Sequence, residues 1–199
     1  MTGLRYLRNL ETTTKWLPFG RAGVSAAPAG PRLVLRALAF AAQRHRDQRR
    51  RDRHASPFVN HPIEVATLLA DVGGVSDTTA LAAAVLHDVV EDTATTTEEI
   101  ESVFGAAIAR IVAEVTDDPA LPGVERRRQQ ALRAATLSPA ARLIKIADKT
   151  ANLRQLPNDW TPERRADYAL SATKVVDACR GTNAALEQLF DEVAAAVEH

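Results

Sequence analysis

Helix-breaking punctuation constrains this chain more than any other feature. From Pro31 onward, Pro, Gly and capping residues recur so that the runs between them have helical length and spacing, and none alternates convincingly as a strand would. Residues 32–48 follow Pro31 with Leu33, Leu35, Leu38, Ala39 and Ala42 apolar, and a polar, Arg-heavy loop spans about 49 to 60. Pro62 marks the next start and Gly73-Gly74 its end. Ser76 or Asp77 caps a helix that carries His87-Asp88 and stops near Thr93. Thr96-Thr97-Glu98-Glu99 offers a capping box for 97–104, Gly105 punctuates, and 106–116 runs to Asp117-Asp118-Pro119. Further helices are predicted at 124–135, 139–156, 162–179 and 183–197. Without an internal repeat or a Gly-rich phosphate loop, the expected fold class is all-α, compact and single-domain.

Length and composition agree with that reading. A chain of 199 residues suits one domain with a substantial core, and with aromatics at 5% the abundant Ala suits close-packed helices. The 25 basic and 25 acidic residues cancel, so nothing in the overall charge points to nucleic acid or an acidic membrane surface. No run approaches the roughly 18 apolar residues of a membrane span. Cys179 is the only cysteine, which excludes an internal disulfide and a cysteine zinc cluster and fits a cytoplasmic location. Residues 1–30 hold Arg5, Arg8, Lys15 and Arg21 against the single acid Glu11. They read as a flexible extension, with an organelle-targeting segment as the alternative.

The chemistry concentrates in Val85-Leu86-His87-Asp88-Val89-Val90-Glu91-Asp92. Ionisable groups in such an apolar helix need partners, because an unpaired buried polar group costs about 1–3 kcal/mol and a charge far more. On one helix His87 and Asp88 point about 100° apart and can approach a single ion, while Glu91 and Asp92 hang one turn further on. Asp148 interrupts the apolar run 143–147, with Asn152 one turn later. His61, in Asn60-His61-Pro62, stands at a helix start. Two His and two carboxylates form an N/O donor set suited to Mn²⁺, Zn²⁺ or Fe²⁺, leaving Glu91 and Asp92 to handle protons. His45, His54 and His199 read as surface or terminal groups.

The ordered series Ala41-Ala42-Gln43-Arg44-His45-Arg46, Asn60-His61-Pro62-Ile63, Leu86 to Thr93, Glu114 to Asp118, Ile146-Ala147-Asp148-Lys149 with Asn152-Leu153-Arg154, and Arg180-Gly181-Thr182-Asn183 resembles HD-domain phosphohydrolases. More narrowly, it resembles the small alarmone hydrolases of the RelA/SpoT homologue group, metazoan type, from about Leu38 to Glu187. The resemblance implies a hydrolase-only HD domain over 31–199 that removes the 3′-pyrophosphate of guanosine tetra- and pentaphosphate, usually with Mn²⁺. It assigns His61, His87, Asp88 and Asp148 to the metal and Glu91 and Asp92 to the acid/base pair. Substrate contacts fall to Arg50, Arg51, Asn152, Arg164 and Tyr168. Arg51 replaces an expected Lys, Gly123 stands where relatives carry a phosphate-reaching Lys, and Pro119 replaces another. These departures leave open the (p)ppApp and NADPH alternatives, beside a non-catalytic nucleotide-binding reading. The expected partner is a small-molecule nucleotide, and oligomeric state stays open.

Overall fold

The structure, a computed structural model, describes residues 29–197. The expected extension, up to residue 28, and His199 lie outside the described residues. Among the described residues ten α-helices follow one another: α1 (Pro31–Arg44), α2 (Asn60–Thr67), α3 (Thr78–Leu86), α4 (Val89–Asp92), α5 (Thr97–Phe104), α6 (Ala106–Val115), α7 (Gly123–Ala134), α8 (Pro139–Arg154), α9 (Pro162–Cys179) and α10 (Ala184–Val197). No strand occurs among the described residues, so the all-α expectation holds, and no helix there is long and apolar enough to cross a membrane.

Local chemistry explains most boundaries. Asp77, Thr96, Ser138 and Thr161 each accept a backbone N–H at a helix start. The capping box at Thr96 is half formed. Thr96 accepts from Glu99 N–H, but the Glu99 carboxylate turns to Arg44 of α1 instead. Gly105, at φ 91°, separates α5 from α6 in a conformation that L side chains avoid. Gly73 ends a π-turn (Leu68–Val72) that continues α2, and a Cβ there would stand 2.8 Å from Leu69 O and 3.0 Å from Leu186 of α10.

Two boundaries differ from expectation in ways that matter. The first helix ends at Arg44 rather than 48, and the Arg-rich loop is folded, with Asp52 accepting the N–H groups of His54 and Ser56. The helix expected to run through His87-Asp88 to Thr93 is broken there, since α3 stops at Leu86 and α4 begins at Val89. His87 and Asp88 keep right-handed helical backbone angles across the junction, so their side chains still leave the chain in neighbouring directions.

α8 is the central element, packed against α2, α3, α6, α9 and α10. Ala141, Ile144, Ile146, Ala147, Ala151 and Leu153 are buried on it. α3 is buried almost all round through Ala80, Ala82, Ala83, Ala84, Val85 and Leu86, and its small side chains admit α1, α2, α6 and α8 closely. The C-terminal end of α3 is thereby held against the middle of α8, with the start of α2 beside both.

Candidate active site

Three separated pieces of chain meet at that point. His61 comes from the first turn of α2, His87 and Asp88 from the α3–α4 junction, and Asp148 from the middle of α8. His61 Nε2 lies 3.2 Å from Asp148 Oδ1 and 3.5 Å from Asp88 Oδ2. His87 Nε2 lies 3.1 Å from Asp88 Oδ1 and 3.8 Å from Asp148 Oδ1. One donor atom each from His61, His87 and Asp88 falls within a mutual 4.8 Å, a spacing that a single ion can bridge.

The donor chemistry fits a cation. His87 Nδ1 donates to Ala84 O at 2.7 Å, which leaves the lone pair on Nε2, a buried atom without a hydrogen-bond partner. Burial by itself lowers the His87 pKa. The negative charges of the nearby Asp88 and Asp148 carboxylates outweigh burial and raise it to about 10. Burial likewise pushes Asp88 up, but His87 and His61 hold it at about 2, and Lys149 and the two histidines keep Asp148 well below the carboxylate range. These directions describe a pocket of anions that demands positive charge. Five carboxylates (Asp88, Glu91, Asp92, Asp117 and Asp148) face three fixed cations (Arg50, Lys145 and Lys149) around a cavity of about 220 Å³.

Glu91 and Asp92 lie one turn beyond Asp88. Glu91 accepts Asp117 N–H at 3.1 Å and stands 3.4 Å from Arg126 Nη1. Burial, then Asp117 and Asp88, raise its pKa. Asp92 sits at the rim, where loss of surrounding water, then the charges of Asp88 and Glu91, push it up to about 7. The residue keeps an exposed side, so water screens part of this shift, and its upward direction is what the chemistry uses.

Residues 37–177 match the HD domain family. The zebrafish (Danio rerio) guanosine-3′,5′-bis(diphosphate) 3′-pyrophosphohydrolase MESH1 is 48% identical over 165 residues, covering 81% of this chain and 92% of that protein. The human MESH1 is 48% identical over 159 residues, 78% of this chain and 89% of that one, and the Drosophila melanogaster MESH1 is 49% identical over 160. The chain belongs to the HD-domain family, in its MESH1 branch. A solved structure described as a metazoan ortholog of SpoT that hydrolyzes ppGpp superposes with a TM-score of 0.80 at 46% identity, covering 84% of this chain and 96% of its own.

Not all expected substrate contacts of this HD-domain protein meet at the cavity. Arg50 and Asn152 line it, and both Arg50 Nη atoms lie 3.4 Å from Asn152 Oδ1. Asn152 Nδ2 in turn donates to Asp148 Oδ1 at 2.6 Å, so the amide orients a carboxylate of the cluster. Arg51 is exposed and does not line the cavity. Arg164 stacks over Trp160 at 4.3 Å and Tyr168 meets the same ring edge-on at 5.4 Å; neither lines the cavity, although Tyr168 is close enough to feel the charges of Lys149, Asp148 and Arg50. At Gly123, a Cβ would meet Arg127 Nη1 at 3.6 Å, so a guanidinium stands beside that position.

The surface reading of His45 is corrected by the structure. His45 is buried, its ring 4.7 Å from Phe58 and its Nδ1 2.6 Å from Gln48 Oε1, and burial lowers its pKa. Gln48 Nε2 passes the connection on to Asp92 O at 2.7 Å. The signal was present in the spacing, since Ala37, Ala41 and His45 fall four apart on the buried face of α1. Lys145 and Lys149 were likewise hidden within an apolar-looking run. They are buried one turn apart on α8, with Lys145 donating to Val115 O at 2.7 Å and Lys149 to Asp148 at 3.1 Å.

Proposed function

We propose that this protein hydrolyses guanosine 3′,5′-bis(diphosphate) and its pentaphosphate form to GDP or GTP and pyrophosphate, using one Mn²⁺ ion held by His61, His87, Asp88 and Asp148. The observation that carries this reading is the convergence of these two His and two Asp, with Glu91 and Asp92 beside them, in a chain of the MESH1 branch. A bound divalent ion would offset negative charge on the phosphoryl oxygens. The chain's own groups do the rest. The Ala84 carbonyl fixes the His87 tautomer and Asn152 orients Asp148, so the donor set is held in place before any ligand arrives.

Glu91 takes a proton from the attacking water, whose oxygen bonds to the phosphorus carried on O3′ as the O3′–P bond breaks. Asp92, whose raised pKa keeps it partly protonated near neutrality, gives a proton to the leaving O3′. Lys145, Lys149 and Arg50 supply fixed positive charge beside the anionic groups. A cavity of about 220 Å³ admits the reacting diphosphate but not a whole tetraphosphate nucleotide. The remainder extends past Arg50 toward the surface, where the exposed side chains of Arg51 and Arg164 are open to its other phosphates.

Purified protein with Mn²⁺ and ppGpp is expected to release pyrophosphate and GDP, and Asp88→Ala to abolish this while remaining folded. Parallel assays with ppApp and NADPH test the base and phosphate preference. Faster turnover of either would reassign the substrate, and tight ppGpp binding by metal-replete protein without product would overturn the hydrolase reading.

A further inference from the structure

The two lysines that line the cavity are already committed, Lys145 to Val115 O beside Asp117 and Lys149 to Asp148, and Arg50 reaches only the neutral Asn152 amide oxygen, at 3.4 Å. Arg126, on the second turn of α7, is held differently. Its single contact with Glu91 is long, 3.4 Å through one Nη, and its side chain is about a third exposed. Glu91 has a second, independent anchor in the Asp117 N–H, so it stays in place if Arg126 leaves. Gln130, one turn after Arg126 on the same helical face, lines the cavity and bonds the Asp117 carboxylate. The Arg126–Gln130 face of α7 is therefore turned to the reaction space.

We propose that Arg126 is a substrate contact that exchanges partners: in the free protein it rests on Glu91, and on binding it moves to an oxygen of the diphosphate to be cleaved. The inference rests on the hydrolase reading above for what that diphosphate belongs to. A guanidinium gains from the trade, because one long contact is replaced by the forked, charge-assisted geometry that phosphate oxygens offer. Glu91 gains as well. Freed of a cation competing for its lone pair, and still held by Asp117 N–H, it is open toward water only when a diphosphate is present. Arg126 thus links the arrival of the anion to the availability of the carboxylate.

Binding of inorganic pyrophosphate and of GDP, followed by titration calorimetry on Mn²⁺-loaded protein, tests this without turnover. Arg126→Gln is expected to weaken pyrophosphate about tenfold or more, the worth of one charge-assisted hydrogen bond, and to leave GDP unchanged. Arg126→Lys is expected to restore part of the loss. Glu91→Gln, which removes the competitor, is expected to tighten pyrophosphate severalfold, and that gain is expected to vanish in the Arg126→Gln/Glu91→Gln double variant. A merely structural role for Arg126 would not produce this cycle. Unchanged pyrophosphate affinity in Arg126→Gln, or a Glu91→Gln gain that survives without Arg126, would overturn the exchange. If wild-type protein binds pyrophosphate in this pattern but does not cleave ppGpp, the hydrolase reading fails and the Arg126 site stands.

Discussion

Replacing Asp88 by Asn removes one charge from the His/Asp cluster at nearly constant shape, and its consequences separate into two measurable parts. The first is present without metal. Asp88 titrates at about 2 in the folded protein against 3.8 as a free side chain. A lowered carboxylate pKa means stability that is fully present above 3.8 and lost as pH falls through about 2, so at pH 7.5 the contribution is complete. Its removal costs on the order of 2 kcal/mol, which for a chain of this size lowers Tm by about 4–8 °C in EDTA. The second part is metal linkage. At free Mn²⁺ a hundredfold above the wild-type Kd, binding stabilises the native state by about 2.7 kcal/mol, a rise in Tm of about 5–11 °C. Loss of even an outer-shell partner costs about 10–100-fold in affinity. At the upper end of that range the variant is only half saturated, and the rise shrinks to about 1 °C. Differential scanning calorimetry in EDTA and in Mn²⁺, for both proteins, reads both parts. A full Mn²⁺-induced rise in Asp88→Asn would refute the ligand assignment. A higher Tm than wild type in EDTA would refute the claim that the histidines depend on this carboxylate.

The remaining predictions are shorter. Glu91→Gln is expected to keep the Mn²⁺-induced rise in Tm while kcat falls about 10²–10⁴-fold; kcat within a few fold of wild type would remove Glu91 as the base. With metal chelated, the Asp92 carboxyl is expected to titrate near 7 by NMR, and a diamagnetic divalent ion beside Asp88 to move it down. As proton donor it then makes kcat fall as pH rises past about 7 or somewhat lower, a limb that Asp92→Asn should lack; an unchanged alkaline limb in the variant would assign it to another group. Because its folded pKa lies above its free value, Asp92 ionisation also works against the fold, so metal-free wild type should lose stability between about pH 4 and 7 relative to Asp92→Asn in paired melts. Ile144→Ala, at a fully buried position one turn before Asp148 on α8, is expected to cost about 2–5 kcal/mol by denaturant titration.

Much of this site was legible in the linear chain because its signals are local. His87-Asp88 and Asp148 stood out as ionisable groups in apolar helices, and Glu91 and Asp92 fell one turn on by helical spacing. His45 was missed because it lies among the charged Arg44, Arg46 and Asp47, while its own position continues the buried stripe of α1. Lys145 and Lys149 were missed because a buried ammonium reads as an error in a core helix until its carboxylate and carbonyl partners, including Asp117 and Val115 some 30 residues away, are seen. The Arg126–Glu91 pair spans 35 residues and follows no spacing rule.

What the sequence by itself determined is the helical class, most helix boundaries and the identity of the ionisable groups that need partners. Backbone punctuation, capping and periodicity act within a few residues, so each is readable one segment at a time. Only the tertiary structure decided which of those groups share one cavity, that the helix breaks between Leu86 and Val89, and that Arg51, Arg164 and Tyr168 are not among the side chains that line it. Those outcomes depend on how α2, α3 and α8 pack, and packing is set by the summed burial of side chains distant in sequence, which no local pattern encodes.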